Sequence, residues 1–104
     1  MLIVTTEAIP GKTFEVIGYV TGATVQSRHF GKDIAAGLKT IVGGEIKGYT
    51  EMMDAARAQA THRMVQRAQE MGANAVIGLR YASSSVMQGA AEVMAYGTAV
   101  IVLP

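Results

Sequence analysis

Apolar residues recur every three or four positions in the stretch that follows Thr50, which is the spacing of an amphipathic α-helix. The residues of this stripe are Met53, Ala56, Ala60, Met64, Ala68 and Met71. Thr50 is a residue type that caps helix N-termini, and the segment Gly72-Ala73-Asn74 is expected to end the helix. The pattern therefore predicts one long helix over Glu51–Met71, whose small alanine side chains would let it lie close to a sheet.

Four other stretches are rich in β-branched and other apolar residues and are bounded by turn-forming residues, which predicts strands. They are Leu2–Thr6, Phe14–Gln26, Ala75–Tyr81 and Glu92–Leu103. Between the last two strands, Ala82–Ser85 is predicted as a bend or loop. The segment Lys32–Val42 has a weaker helical spacing, which Gly43 and Gly44 would end. These elements predict an α+β fold, with a small antiparallel or mixed sheet of three to four strands packed on one long helix, plus a short helix.

The last predicted strand is apolar on both of its faces. One face carries Val93, Ala95, Gly97, Ala99, Ile101 and Leu103, and the other carries Met94, Tyr96, Thr98, Val100 and Val102. This composition is typical of a strand that is covered on both sides. Because one long helix covers only one face of the sheet, we predict that another copy of the chain covers the second face.

Charged residues are scarce in this chain. Its 104 residues correspond to one domain, and only 16% of them are charged, against about 25% in typical soluble domains. The net charge is +1 and no Lys/Arg cluster occurs, so nucleic-acid binding is not expected. The absence of cysteine excludes disulfides and thiolate chemistry. No apolar run approaches the ~20 residues of a membrane span, and the N-terminus lacks the basic lead of a signal peptide, so a cytoplasmic protein without membrane contact is predicted.

The two histidines are the candidate metal ligands. His29 has Asp33 four residues further on, which could supply part of a site that other subunits complete. His62 would need a ligand three or four residues away to form a helical metal pair. Those positions hold Ala58, Gln59, Val65 and Gln66. His29, Asp33 and His62 are thus the metal candidates, and exposed histidines without a bound metal are the alternative interpretation.

The sequence contains no recognisable catalytic arrangement. Gly11-Lys12-Thr13 imitates the end of a phosphate-binding loop but lacks the first glycine of that motif, so it is interpreted as a turn. Ser83-Ser84-Ser85 has no histidine or aspartate near it in sequence, and the acidic residues form no evident acid–base pair. The chain is therefore predicted not to be an enzyme. An active site assembled across subunits from His29, Asp33 and Glu45 is the alternative.

Several motifs together resemble a known family of small proteins. They are Val20-Thr21-Gly22, the segment from Asp33 to Gly44, the segment from Met71 to Gly78, and Tyr96-Gly97-Thr98-Ala99-Val100. In this order they resemble the YbjQ-like family, bacterial and archaeal proteins of uncharacterised function that are sometimes labelled heavy-metal-binding. The resemblance covers nearly the whole chain as a single domain. It implies a subunit similar to that of dodecin, whose copies form a ring, usually a pentamer.

Two functions are compatible with these observations. The first is a homo-oligomeric protein, a pentameric ring, that binds a metal ion or small ligand at its subunit interfaces. The second is a non-catalytic structural ring that presents a surface to another protein. No motif in the sequence identifies a cofactor, so the ligand itself is not predicted.

Overall fold

The computed structural model describes residues 1–27, 41–42 and 45–104. These residues form six strands and one long helix, which we number in chain order. The strands are β1 (Leu2–Ile3), β2 (Phe14–Ser27), β3 (Ile41–Val42), β4 (Glu45–Ile46), β5 (Ala75–Met87) and β6 (Ala90–Val102), and the helix is α1 (Lys47–Glu70).

Four of the strands make one mixed sheet in the order β1-β5-β6-β2. β1 is parallel to β5, whereas β5 and β2 are both antiparallel to β6. The tight connection between β5 and β6 contains Gly89, whose φ of 79° is readily adopted only by glycine. β3 and β4 form a separate two-stranded sheet. The α+β fold, with a mixed four-stranded sheet packed on one helix, is confirmed.

Helix α1 packs on one face of the sheet through the predicted apolar stripe. Ala56, Ala60, Met64 and Ala68 have no exposed surface, and they pack with residues of β2, β5 and β6. A strand residue without a side chain allows this close approach, because a Cβ atom at Gly22 would lie 2.2 Å from the Met64 nitrogen. The long helix over the alanine-rich stripe was therefore correctly predicted.

The two ends of the stripe differ from the prediction. Met71 lies beyond the last helical residue and is 38% exposed, so it does not continue the buried stripe. At the other end Met52 is buried, whereas Met53 is only half-buried. The helix begins at Lys47, so Thr50 lies inside it and is not its N-cap. The chain enters the helix directly from β4, and a single glycine at position 48 lowers helix propensity without preventing a helix.

Asn74 connects the end of the helix to the sheet. Gly72 adopts a φ of 89° and turns the chain, as the sequence suggested. The Asn74 side chain then accepts a hydrogen bond from the Val102 N–H (2.7 Å) and donates one to the Val102 carbonyl (3.2 Å). Its amide thus imitates a paired strand residue and fixes where β5 starts beside β6.

Three predicted segments need correction. Ala82–Ser85, predicted as a bend, continues β5 because pairing with β6 satisfies its backbone groups, so tertiary context outweighs the low β-propensity of serine. Ile41–Val42, predicted as the end of a short helix, forms β3, and the remainder of that helix prediction lies outside the described residues. β1 ends at Ile3 instead of Thr6, although the Gly78 N–H still donates to the Thr6 carbonyl at 2.8 Å.

Candidate functional site: the open face of the sheet

The sheet face opposite α1 is covered at one end by the N-terminal segment. Ala75, Ile77 and Val100 are buried on this face, and half-buried apolar residues pack against them. These covering and flanking residues are Val4, Ile9, Phe14 and Val102. This end of the sheet therefore has a second small core, supplied by the loop between β1 and β2.

The rest of this face has no cover among the described residues, and we call it the open face. Strand alternation and register place the following residues on it: Val16, Tyr19, Thr21, Ala23 and Val25 of β2; Glu92, Met94, Tyr96 and Thr98 of β6; Arg80, Ala82 and Ser84 of β5. Tyr19 is 82% exposed, Val16 63%, Val25 57% and Tyr96 40%. Apolar and aromatic side chains thus occupy most of the open face, with one acidic and one basic residue among them.

The outer edge of β2 is closed by arginines from the helix. The Arg63 guanidinium donates to the Ala23 carbonyl at 2.7 Å, and the Arg67 guanidinium donates to the Thr21 carbonyl at 3.1 Å. These carbonyls lie on the edge strand and would otherwise be open to another strand. Two charged side chains from α1 therefore protect this edge of the sheet.

The outer edge of β5 is different. β1 pairs with it only at Ala75 and Val76, and an irregular stretch of backbone continues the contact as far as Leu79. Within residues 1–27, 41–42 and 45–104, no strand pairs with the outer side of β5 from Arg80 to Met87. Every residue from Arg80 to Met87 is exposed.

A polar cluster between α1 and β2 is internally satisfied. Thr24 is the one buried polar residue of the described part of the chain, and its hydroxyl donates to the Gln59 side-chain oxygen at 3.0 Å. Gln26 donates to the same oxygen at 2.8 Å. Because these groups bind one another, the cluster orients the helix on the sheet and is not a ligand site. No local sequence pattern indicated this cluster, since Gln59 lies more than 30 residues from Thr24 and Gln26.

The candidate metal residues do not form a site in the described part of one chain. His62 is an exposed residue of α1. His29 and Asp33 lie outside the described residues, as does the side chain of Glu45. Within the described ranges there is no group of three or more His, Cys, Asp or Glu side chains that could hold a metal ion.

Comparison with known proteins assigns the family. The family model described as "Putative heavy-metal-binding" matches residues 1–103. The chain belongs to this family. It is 57% identical to a UPF0145 protein of Clostridium novyi, over 99% of this chain and 100% of that protein. It is 61% identical to a UPF0145 protein of Halalkalibacterium halodurans, over 96% of this chain and 95% of that protein. The resemblance to the YbjQ-like family is thus confirmed.

A solved structure supports the same fold. The chain is similar to the crystal structure of a protein of unknown function from the DUF74 family of Pediococcus pentosaceus, with a TM-score of 0.74 and 18% identity. The match covers 99% of this chain and 98% of that chain. At this identity it shows the fold alone. Among the described helices, none has the length and hydropathy that crossing a membrane would require.

The family description implies a heavy metal, and the described residues do not fit one. Heavy metals favour soft sulfur and imidazole ligands, and the chain has no cysteine. The described residues of a single chain also lack a cluster of oxygen and nitrogen ligands. A metal centre would therefore require ligands from residues outside the described ranges or from more than one subunit.

Proposed function

We propose that this protein is a non-catalytic homo-oligomer, a pentameric ring, in which each subunit covers the open face of a neighbour and ligands are held at the subunit junctions. The observation that carries the proposal is the exposure of Tyr19, a large aromatic residue that lies mid-strand on an apolar sheet face and is 82% exposed. Soluble monomers rarely expose a contiguous apolar patch of this kind.

The energetic reason is the hydrophobic effect. Burial of a large apolar side chain stabilises by about 1.5–3 kcal/mol when it is complete. Tyr19, Val16 and Val25 are each more than half exposed, so covering all three contributes on the order of a few kcal/mol per subunit before the entropy cost of association. A ring repeats this contact at every junction, and the contribution accumulates over the assembly.

A second copy of the chain is the occupant that best fits this face. The open face carries one acidic and one basic residue, so it offers no charge pattern that would select a strongly charged partner. The whole chain is also poor in charge, which is expected when part of the surface lies between subunits. The subunit number of five comes from the family resemblance and is part of the proposal.

Native mass spectrometry together with multi-angle light scattering tests the assembly. A ring of five 10.9 kDa subunits has a mass of about 55 kDa, and pairing of rings would double it. We expect Tyr19→Lys, which places a charge in the junction, to reduce the particle to a dimer or monomer. Thr13→Lys is the matched control, because it adds the same charge at an exposed position just before β2. A wild-type particle of 10.9 kDa at micromolar concentration would refute the proposal.

Ligand binding at the junctions rests on the family description and on the repeated sites that a ring creates. Elemental analysis of the intact oligomer, purified without chelator, tests the metal. We expect metal in the wild-type oligomer and its loss in Tyr19→Lys and in His29→Ala. An oligomer that contains no metal and retains no small molecule would favour the second function, a structural ring that binds another protein.

The absence of catalysis is also part of the proposal. Its support is that the described residues contain no group of three or more His, Cys, Asp or Glu side chains, the types that most often supply catalytic acids and bases. A hydrolase screen of the wild-type oligomer tests it. Turnover that His29→Ala abolishes and His62→Ala leaves intact would contradict the proposal and favour an active site assembled across subunits.

A further inference from the structure

We propose that the outer edge of β5, from Tyr81 to Met87, is a second docking surface, and that its occupant is the same segment of another copy of this chain. The two strands pair antiparallel about a twofold axis that passes near Ser83–Ser85. This contact is separate from the open face, and it extends the proposed self-association by joining one ring to another. The β5–β6 hairpins of the two copies then form one continuous sheet.

The first reason is the contrast between the two edges of the sheet. Natural proteins protect edge strands with charged side chains, prolines, bulges or covering segments. On β2 the protection is visible, since Arg63 and Arg67 occupy the edge carbonyls of Ala23 and Thr21. From Tyr81 to Met87, β5 has no lysine, arginine or proline, and no described segment pairs with its outer side. From Tyr81 to Ser85 the outer backbone groups have no partner strand among the described residues, whereas the Met87 carbonyl accepts a hydrogen bond from the Ser85 hydroxyl at 3.5 Å.

The second reason is that the segment is complementary to itself. Residues that lie near a twofold axis face their own copies, so a charged side chain there would repel itself. The sequence between Tyr81 and Gln88 contains no charge, and its centre is Ser83-Ser84-Ser85. Hydroxyl side chains opposite one another form favourable cross-strand pairs. Small side chains at the axis also allow the two strands to approach without a clash.

The third reason is the exposure of the apolar residues that flank the serines. Tyr81 is 43% exposed, Val86 49% and Met87 68%. An antiparallel pair centred on the serines brings the Tyr81 end of one strand beside the Val86-Met87 end of the other. Each apolar end is then covered by the partner strand. A twofold axis perpendicular to the sheet also keeps both α1 helices on the same side of the continuous sheet.

A second copy is favoured over a foreign peptide for a structural reason. Peptides that add to a sheet edge are usually selected by side-chain pockets beside that edge. At the centre of the free stretch of β5, Ala82 and the three serines have side chains too small to form the walls of such a pocket. A partner that supplies the same flat, uncharged strand needs no pocket.

Cysteine cross-linking tests the pairing, and the cysteine-free chain makes the result unambiguous. Opposite residues of an antiparallel pair have Cα atoms about 4.5–5.5 Å apart, which lies within the range that a disulfide spans. We would introduce Ser83→Cys, Ser84→Cys and Ser85→Cys singly and oxidise each variant at micromolar concentration. We expect at least one of them to form a covalent dimer at least tenfold faster than Glu15→Cys, an exposed control on the opposite edge strand.

The same variants separate this inference from the proposed ring. When Tyr19→Lys is added to the cysteine variants, the disulfide-linked dimer is expected to form as before, because the pairing of the two β5 strands does not use the open face. Ser84→Lys is expected to halve the native mass of the wild-type particle, whereas Thr13→Lys leaves it unchanged. If the particle is a ring and no serine position cross-links faster than Glu15→Cys, the β5 pairing is refuted and the ring stands. Cross-linking to a different protein of the expression host, or loss of the dimer with Tyr19→Lys, would equally overturn it.

Discussion

Gly22 lies where α1 crosses β2, and replacing it by alanine would place a methyl group inside the helix backbone. The added Cβ would lie 2.2 Å from the Met64 nitrogen, 2.4 Å from the Ala60 carbonyl oxygen and 2.8 Å from the Met64 Cα. All three are main-chain atoms of a helix, so no side-chain rotation relieves the overlap. We therefore expect Gly22→Ala to be among the most destabilising single-methyl additions in this protein.

The size of the effect follows from these distances. Ordinary contact between nonbonded carbon atoms begins at about 3.5 Å, so the helix or the strand must move by about 1.3 Å. A gap of about 0.5–1 Å already removes a quarter to a half of the dispersion energy of an atomic contact. A displaced helix would lose this energy at contacts all along the buried stripe of α1. Overpacking a core commonly costs about 1–3 kcal/mol. Because the obstacle is backbone, we expect about 3 kcal/mol, or a melting temperature about 12–24 °C lower at this chain length.

Gly18→Ala is the matched control for this experiment. Gly18 lies in the same strand without a positive φ, and its added Cβ would meet only the Met71 methyl group at an ordinary 3.8 Å. Urea unfolding followed by circular dichroism gives the free energy of unfolding of both variants. Both variants are measured in a chain that also carries Tyr19→Lys and Ser84→Lys. Without these two substitutions, subunit association would raise the apparent free energy of unfolding. Equal stability of Gly22→Ala and Gly18→Ala would refute the close helix–strand contact.

Three further predictions concern other contacts of the fold. Met64→Ala is expected to cost about 2–5 kcal/mol in the same urea assay, because it leaves a cavity at a fully buried site, and a change below 1 kcal/mol would contradict that packing. Asn74→Ala leaves the Val102 N–H without its side-chain acceptor and should cost about 1–3 kcal/mol, whereas Asn74→Asp, which keeps the acceptor, should cost less. The double variant Arg63→Ala/Arg67→Ala should change unfolding by less than about 1 kcal/mol and yet aggregate faster in light scattering, because it opens the β2 edge. Unchanged aggregation would show that the arginines do not protect that edge.

Periodicity correctly predicted those parts of the fold in which a residue is buried or exposed according to its position within its own helix or strand. The alanine stripe of α1 repeats at helical spacing, and Ala56, Ala60 and Ala68 are all fully buried as expected. Alternation in β6 likewise placed Val93, Ala95 and Ala99 together on one face, and the structure packs this face against α1. These predictions succeeded because burial on one face leaves a repeating trace in the sequence.

Contacts between different helices and strands leave no repeating pattern in the sequence. The serines of β5 look like a loop, and only pairing with β6 makes them a strand. The bonds from Arg63 and Arg67 to β2 join residues 40 and 46 positions apart, so no local pattern could indicate them. The candidate site was predicted only in outline. The two-sided character of β6 indicated that a second face needs cover, but the register of three strands was required to identify Tyr19 as its most exposed residue.

Several of the few charged residues of this chain lie at the margins of the sheet, where they bear on the proposed assembly. Arg63, Arg67 and Arg80 all donate to main-chain carbonyls, and Arg80 binds the Thr5 and Leu79 carbonyls at 2.9 and 2.8 Å. Three of the nine basic residues thus bind main-chain carbonyls at the margins of the sheet. A guanidinium at such a carbonyl excludes an incoming strand, and Arg80 is the last of these before the free stretch of β5 begins. The two proposed self-association surfaces, the open face and the outer edge of β5, are the ones without an arginine at their carbonyls among the described residues, and variants of Tyr19 and Ser84 are expected to remove the two proposed contacts independently.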